Sequence, residues 1–408
     1  MRQTKIDSVA AIFFLTAAGF AVGQNPRIVP TPRPIVGELP ASPEELYLPQ
    51  PPGIAVDVWQ SGLEAIWTLQ FAPDKRLFLT ERTGRVRIVS ASGQLQPAPW
   101  AVIDVMHEGG EGGLMGLALH PRFPQEPWVY LMYTTYKQGR PVNRVVRFRE
   151  ADGRGTGEQV LLDDLPAALN HNGGRLIFGP DGMLYVSAGD AYHPMDAQDL
   201  KSPGGAILRL TPEGRVPADN PWPSNPIWAQ GLRNPNGMAF RPRTNTFFAA
   251  DHGPTSEWGP PRIMDRDELN IIEKGANYGW PLVVGAGGMR GMRDPLVSWI
   301  PSTPPGALVF YDADLLPFLK GDLLYTSLAG QALLRIRFQD AASPNKVTAV
   351  ERWFNTGPRG SSTYGRLRGM TVGPDGAIYI GTSNRDGRGS PRGNDDRILK
   401  IRPAAKGT

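Results

Sequence analysis

The chain has 408 residues, no cysteine, and 43 Lys plus Arg against 39 Asp plus Glu, for a formal charge of +4. The missing thiol excludes disulfide scaffolds, thiolate metal sites and cysteine nucleophiles, and so small a charge, spread along the chain, gives no footing for nucleic acid. An apolar fraction of 40% with 48 Gly and 41 Pro suits short strands joined by turns better than long helices.

Met1 to Gly23 reads as a secretory signal peptide. Arg2 and Lys5 form a basic start, Val9 to Val22 is apolar apart from Thr16 and Gly19, and Ala21-Val22-Gly23 offers small residues for cleavage before Gln24. The apolar run is shorter than the ~20 residues a spanning helix needs, so the expectation is a periplasmic or secreted protein with no membrane span once processed. An uncleaved N-terminal anchor is the alternative. Residues 24–53 are Pro-rich, from Pro26 to Pro52, and read as a tether or surface strap.

From Ile54 a phrase recurs: an apolar or small residue, Pro, often Asp-Gly, then an apolar run. It appears at Pro73-Asp74, His120-Pro121, Pro180-Asp181-Gly182, Arg241-Pro242 and Pro374-Asp375-Gly376. The last interval is about twice the others, and Leu319-Lys320-Gly321-Asp322 before Leu323-Leu324-Tyr325 fills the gap as a degenerate copy. Proline presets the turn, Asp bonds back to the backbone and Gly accepts left-handed geometry. The flanking runs are rich in Val, Ile, Tyr and Phe, which favour strands. Copies every 50 to 65 residues or so predict an all-β fold over 54–403, a six-bladed β-propeller of four-stranded antiparallel blades. Paired β-sandwiches are the alternative. The strand near Ile54–Trp59 and the last, Ile398–Ile401, are expected to close the ring in one sheet, leaving 404–408 as a tail.

Among five histidines, His171 stands in a polar, Gly-rich loop, Asn170-His171-Asn172-Gly173-Gly174, and Asp190 ends the strand that follows. A carboxylate so placed holds an imidazole's tautomer and makes it a better base. His120, before a proline, reads as a turn cap. Arg366 and Arg368 have strand spacing that puts both guanidinium groups on one face, suited to carboxylates. Gly231 to Gly237 is another loop with an arginine, Arg233. His252-Gly253-Pro254 with Asp267-Glu268 offers backbone and carboxylate oxygens of the kind Ca²⁺ prefers. No dinucleotide fingerprint, Walker loop or zincin motif occurs.

In order and spacing, Gly110 to Pro121, the His171 loop, Gly231 to Gly237, Asp267 to Asn270, Gly275 to Pro281 and Thr382 to Gly389 resemble the pyrroloquinoline quinone (PQQ)-dependent soluble sugar dehydrogenases, the glucose/sorbosone dehydrogenase family. The resemblance runs from about Ile54 to Pro403. It implies a quinoprotein oxidoreductase in which His171 takes the sugar hydroxyl proton, Asp190 orients it, and hydride passes to PQQ. It further implies that Arg233, Asn234, Arg366 and Arg368 hold PQQ, that Trp299 packs near its plane, and that the carbonyls of Gly253 and Pro254 bind Ca²⁺. The implied activity is oxidation of an aldose at C1 to its lactone, with electrons passing to an external acceptor.

Two positions depart from the family. Ala329 stands where well-known members carry a cofactor-binding lysine, a loss of roughly 1.5–3 kcal/mol unless Arg335 or Arg385 compensates. Glu111 stands where a glutamine often contacts substrate; an ionised carboxylate accepts hydroxyls but cannot donate, so specificity should differ. The sequence leaves the sugar, the acceptor and the oligomeric state open. A non-catalytic carbohydrate- or protein-binding propeller and a calcium-dependent propeller lactonase are the alternative functions.

Overall fold

The computed structural model describes residues 34–40, 43–107, 109–255, 265–340, 346–358 and 360–405. The expected signal, Met1 to Gly23, lies outside them, as does the start of the Pro-rich segment. Alternating strands and tight turns generate six antiparallel sheets, each with its first strand innermost. The innermost strands are Ile66–Phe71, Leu114–Leu119, Leu176–Phe178, Pro235–Phe240, Pro305–Phe310 and Leu367–Val372, and each touches its neighbours in a closed ring. The chain is thus a six-bladed propeller around a central channel. Its only described helices are short turns at Pro194–Gln198 and Pro317–Leu319.

The recurring Pro-Asp-Gly phrase is the turn between the first and second strands of a blade, and the degenerate copy before Leu323–Ser327 occupies that place in the fifth. Its aspartate does more than turn the chain. Asp181 Oδ2 accepts from Tyr185 Oη (3.0 Å) on the second strand and from Arg209 Nε (2.9 Å) on the third. Asp375 repeats this with Tyr379 (2.9 Å) and Lys400 (2.7 Å). One turn residue therefore laces three strands. Between successive blades lie separate apolar clusters, such as Phe78, Leu117 and Val129 between the first and second. This is the alternating burial expected of packed sheets.

The ring closes as the sequence predicts. Ile54–Gln60 pairs antiparallel with Ile398–Pro403 and becomes the outer strand of the sixth blade. Upstream, Glu44–Leu48 adds a fifth strand to the fifth blade, parallel to Val347–Trp353, and Arg352 Nε bonds Glu45 across them at 2.9 Å. Ile35–Val36 pairs with Val283–Val284 beside the fourth blade.

At the centre, Arg175 precedes the third blade and is fully enclosed. Its Nε donates to Asn236 O (2.9 Å) in the fourth blade, Nη1 to Thr68 Oγ1 (3.2 Å) in the first and Nη2 to Gly306 O (2.6 Å) in the fifth. The guanidinium also stacks 4.3 Å from the Trp67 ring. No carboxylate pairs with it among the described residues, and burial with the nearby Arg368 charge pushes its pKa down to about 9. Arg175→Met keeps the apolar stem but strands acceptors in three blades, so it should destabilise by about 2–4 kcal/mol. A urea midpoint equal to that of the wild type would show that the blades hold together without it.

Candidate active site

Two loops of one blade build the central pair. His171 adopts φ +59, the left-handed region that costs a side-chain-bearing residue strain, a feature that clusters at functional sites. Gly189 makes this possible: a Cβ there would sit 2.0 Å from His171 O, so only glycine lets the loop settle on the strand end. The backbones lock through Ala191 N to His171 O at 3.1 Å. His171 Nδ1 then lies 2.8 Å from Asp190 Oδ1, while Asp190 Oδ2 accepts from Trp280 Nε1 at 2.8 Å. Burial opposes ionisation of Asp190, but His171 and Arg233 outweigh it and hold the carboxyl below its usual range. A carboxylate only accepts, so Nδ1 must carry the proton and Nε2 is left as the basic nitrogen.

Glu111 stands beside this pair. Its Oε2 accepts from His171 N (3.3 Å) and Asn234 Nδ2 (3.1 Å), and its Oε1 from Arg388 Nη1 (2.6 Å). Burial disfavours the charge, yet Arg388, His252 and His171 together hold Glu111 well below the usual carboxylate range. Arg388 also donates to Asn170 Oδ1, and Asn170 Nδ2 meets Tyr192 Oη. The Tyr192 ring lies 4.5 Å from that of His171.

Arginines line the channel, and not all of them pair with a carboxylate among the described residues. Arg366 Nε bonds Asp386 Oδ2 at 2.8 Å. Arg82 donates to the carbonyls of Gly110, Gly112 and Asp386. Arg368 is 5% exposed, and its guanidinium donates no hydrogen bond among the described residues; it rests 5.4 Å from the Trp67 ring. Burial pushes its pKa down to about 10, with Asp386 and Glu111 opposing. A buried guanidinium without an anion is costly, which fits a site built for an anionic ligand. Arg233 contributes Nη1 to His252 O (3.0 Å), and its ring neighbour is Trp280 at 5.5 Å. Asp251 anchors the Arg233 and Asn234 amides at 2.9 and 2.7 Å.

Gly253 and Pro254 are buried, and no donor among the described residues reaches either carbonyl, so both oxygens suit a hard cation. The carboxylates expected to join them are otherwise engaged. Asp267 accepts from His252 Nδ1 (2.6 Å), Gly253 N (3.0 Å), Ser302 Oγ (2.8 Å) and Thr303 N, which saturates it as a hydrogen-bond hub. Burial and the charge of Asp251 push Glu268 up to about 8, so it is largely protonated at neutral pH.

The structure gathers His171, Asp190, Glu111, Arg233 and Asn234 and places Arg366 and Arg368 in the channel. Trp299 differs from its expected position: the indole is 2% exposed in the cluster between the fourth and fifth blades, 5.2 Å from Tyr325. Ala329 is exposed in the turn after Leu323–Ser327. Neither expected substitute for a lysine there is free. Arg335 pairs with Asp322 (2.6 Å) and Glu351 (3.3 Å), and Arg385 Nε is spent on Asp395 O (2.5 Å). His120 caps its turn, its Nδ1 accepting from Arg122 N at 3.2 Å. Sequence reasoning passed over Arg82, Arg175, Tyr192, Trp280 and Arg388; the signal for Arg388 was an arginine between two glycines in a loop.

The family description Glucose / Sorbosone dehydrogenase matches residues 63–392. Aldose sugar dehydrogenase YliI of Escherichia coli is 30% identical over 86% of this chain and 94% of its own length. A crystal structure of an oxidoreductase (glucose dehydrogenase) from Thermus thermophilus superposes with a TM-score of 0.77 at 45% identity, covering 86% of this chain and all of that one. The PQQ-bound form of an aldose sugar dehydrogenase from Streptomyces coelicolor has a TM-score of 0.71 and 31% identity, covering 86% of this chain and 99% of that one.

The lowered Asp190 pKa has a sign that stability measurements can read. The folded state holds that proton more weakly than the unfolded chain, so the contribution is full above about pH 4 and drains away as pH falls through the depressed folded value. Asp190→Asn should therefore be less stable than wild type at pH 7, with the gap in denaturation midpoint closing towards pH 3. A gap that stays constant with pH would mean that Asp190 ionisation does not support the fold.

Proposed function

The chain belongs to the glucose/sorbosone dehydrogenase family, and from that footing we propose that it oxidises aldose sugars at C1 to their lactones, with PQQ and Ca²⁺ as cofactors. The observation that carries this reading is the pairing of a tautomer-fixed base, His171–Asp190, with the unsatisfied Arg368 guanidinium in the same channel. Arg233, Asn234, Arg366 and Arg368 would hold the carboxylates and quinone oxygens of PQQ, and the Gly253 and Pro254 carbonyls would hold calcium. When bound, PQQ supplies a hydride-accepting quinone that calcium polarises, chemistry no side chain offers. Trp299 would brace the Gly253 loop from beneath, since its backbone pairs with Asp267, which holds Gly253 N.

The residues of the chain then act on the sugar. Nε2 of His171 takes the C1 hydroxyl proton as the C1–H leaves with its electron pair. Asp190 holds the Nδ1 proton and stabilises the imidazolium that forms, and the Glu111 carboxylate beside the loop adds to that field. Tyr192 packs against the imidazole and Trp280 fixes the Asp190 carboxylate that orients it. No helix among the described residues is long and apolar enough to cross a membrane. The N-terminal sequence supports a periplasmic or secreted location, and with no Cys-x-x-Cys-His for haem, electrons would leave to an external carrier.

The test is a titration of apoprotein with PQQ in millimolar calcium, followed by aldoses and an electron-accepting dye. Stoichiometric binding and dye reduction are expected, and sugar binding without reduction would sink the enzyme reading. His171→Gln should keep PQQ binding and lose about 10²- to 10⁴-fold in kcat. Arg368→Met should instead weaken PQQ binding by about 10- to 100-fold.

A further inference from the structure

Glu111 and Arg388 come from the two blades that flank the first, the loop entering the second blade and the loop after the second strand of the sixth, and they bond at 2.6 Å beside the His171 loop. Glu111 is partly buried and ionised, hence a pure acceptor. Arg388 is a pure donor with 43% of its side chain still exposed. A guanidinium has about five N–H groups, and the described side-chain contacts of Arg388 go only to Glu111 and Asn170. The pair thus presents an acceptor and a donor side by side at the rim, within one residue's reach of the base.

We propose that Arg388 is a specificity-determining residue that works with Glu111 to read the neighbouring hydroxyls of the sugar: one hydroxyl donates to Glu111 and the next accepts from Arg388. This rests on the sugar-oxidation reading for its substrate, but the recognition itself needs no cofactor. Two further contacts make the pair a reader rather than a loose surface ion pair. Asn234 and the His171 amide fix the other Glu111 oxygen, and Asn170 with Tyr192 fixes the second Arg388 nitrogen. The donor and acceptor therefore keep a set spacing, and a sugar lacking one hydroxyl, or bearing it on the other face, leaves a charged group unpaired.

The test uses the full chain and compares glucose with its 2-deoxy form and its C2 epimer, by calorimetric binding and by dye reduction in the loaded protein. Wild type should favour one of the three by about 10- to 100-fold, chiefly in KM and binding. Arg388→Met should erase most of that preference, the loss for the favoured sugar appearing mainly in KM and in calorimetric binding. The double variant Glu111→Gln/Arg388→Met, which places donor and acceptor on one amide, should recover much of the preference. Arg388→Lys, which keeps the charge and tests for a merely unfolded rim, should retain part of it. Equal losses for all three sugars in Arg388→Met, or a wild type that binds all three alike, would overturn the proposal. Discrimination in binding without any dye reduction would support the reader and sink the dehydrogenase; dye reduction with discrimination unchanged in Arg388→Met would do the reverse.

Discussion

A propeller's innermost strands converge on an axis where backbone and side chains must either pack or enclose a void, and here one guanidinium settles that problem. Arg175 reaches the inner strands of the first, fourth and fifth blades from its own place before the third. Thr68, which it holds, passes the connection to Met115 O of the second blade at 3.3 Å. Arg368 of the sixth shares the Trp67 ring with it. A planar donor with several directions suits this place, because a lysine's point charge has no fixed fork to match three acceptors. The cost is a buried cation without an acid.

Neighbouring cations keep several acids of the site ionised despite burial. Asp190, Asp386 and Glu111 all sit below their ordinary range, each against desolvation, because arginines or histidines surround them. Asp251 and Glu268 are pushed the other way, to about 6 and about 8, chiefly by burial, with the Asp251 charge adding to the shift of Glu268. The same channel thus holds one region prepared for an anion and another where buried carbonyls and protonatable acids gather. That division matches the needs of an anionic quinone and a hard cation held side by side, the pair on which the proposed chemistry depends.

Much of this was legible in the sequence because it is local. The Pro-Asp-Gly turns declare themselves within four residues, and their spacing counts the blades, including the degenerate copy before Leu323. His171 and Asp190 belong to two loops of one blade, so a short sequence interval links them. Arg388 and Glu111 do not: their pairing depends on ring closure, which no local pattern encodes. Trp299, which the resemblance puts near the cofactor plane, stands on a short outer strand that turns its indole into the space between blades, where Tyr325 receives it. Asp267 reads as a metal ligand until its four donors, drawn from two separate segments, are counted.

The outer strand of the sixth blade has a consequence for how the chain is made. Ile54–Gln60 is synthesised before the first blade and finds its partner, Ile398–Pro403, last. Until the final few residues are available, that early strand remains an unpaired edge and the ring stays open. Such long-range pairing makes folding slow. A chain that stays unclosed until its end is translated is compatible with export in an unfolded form.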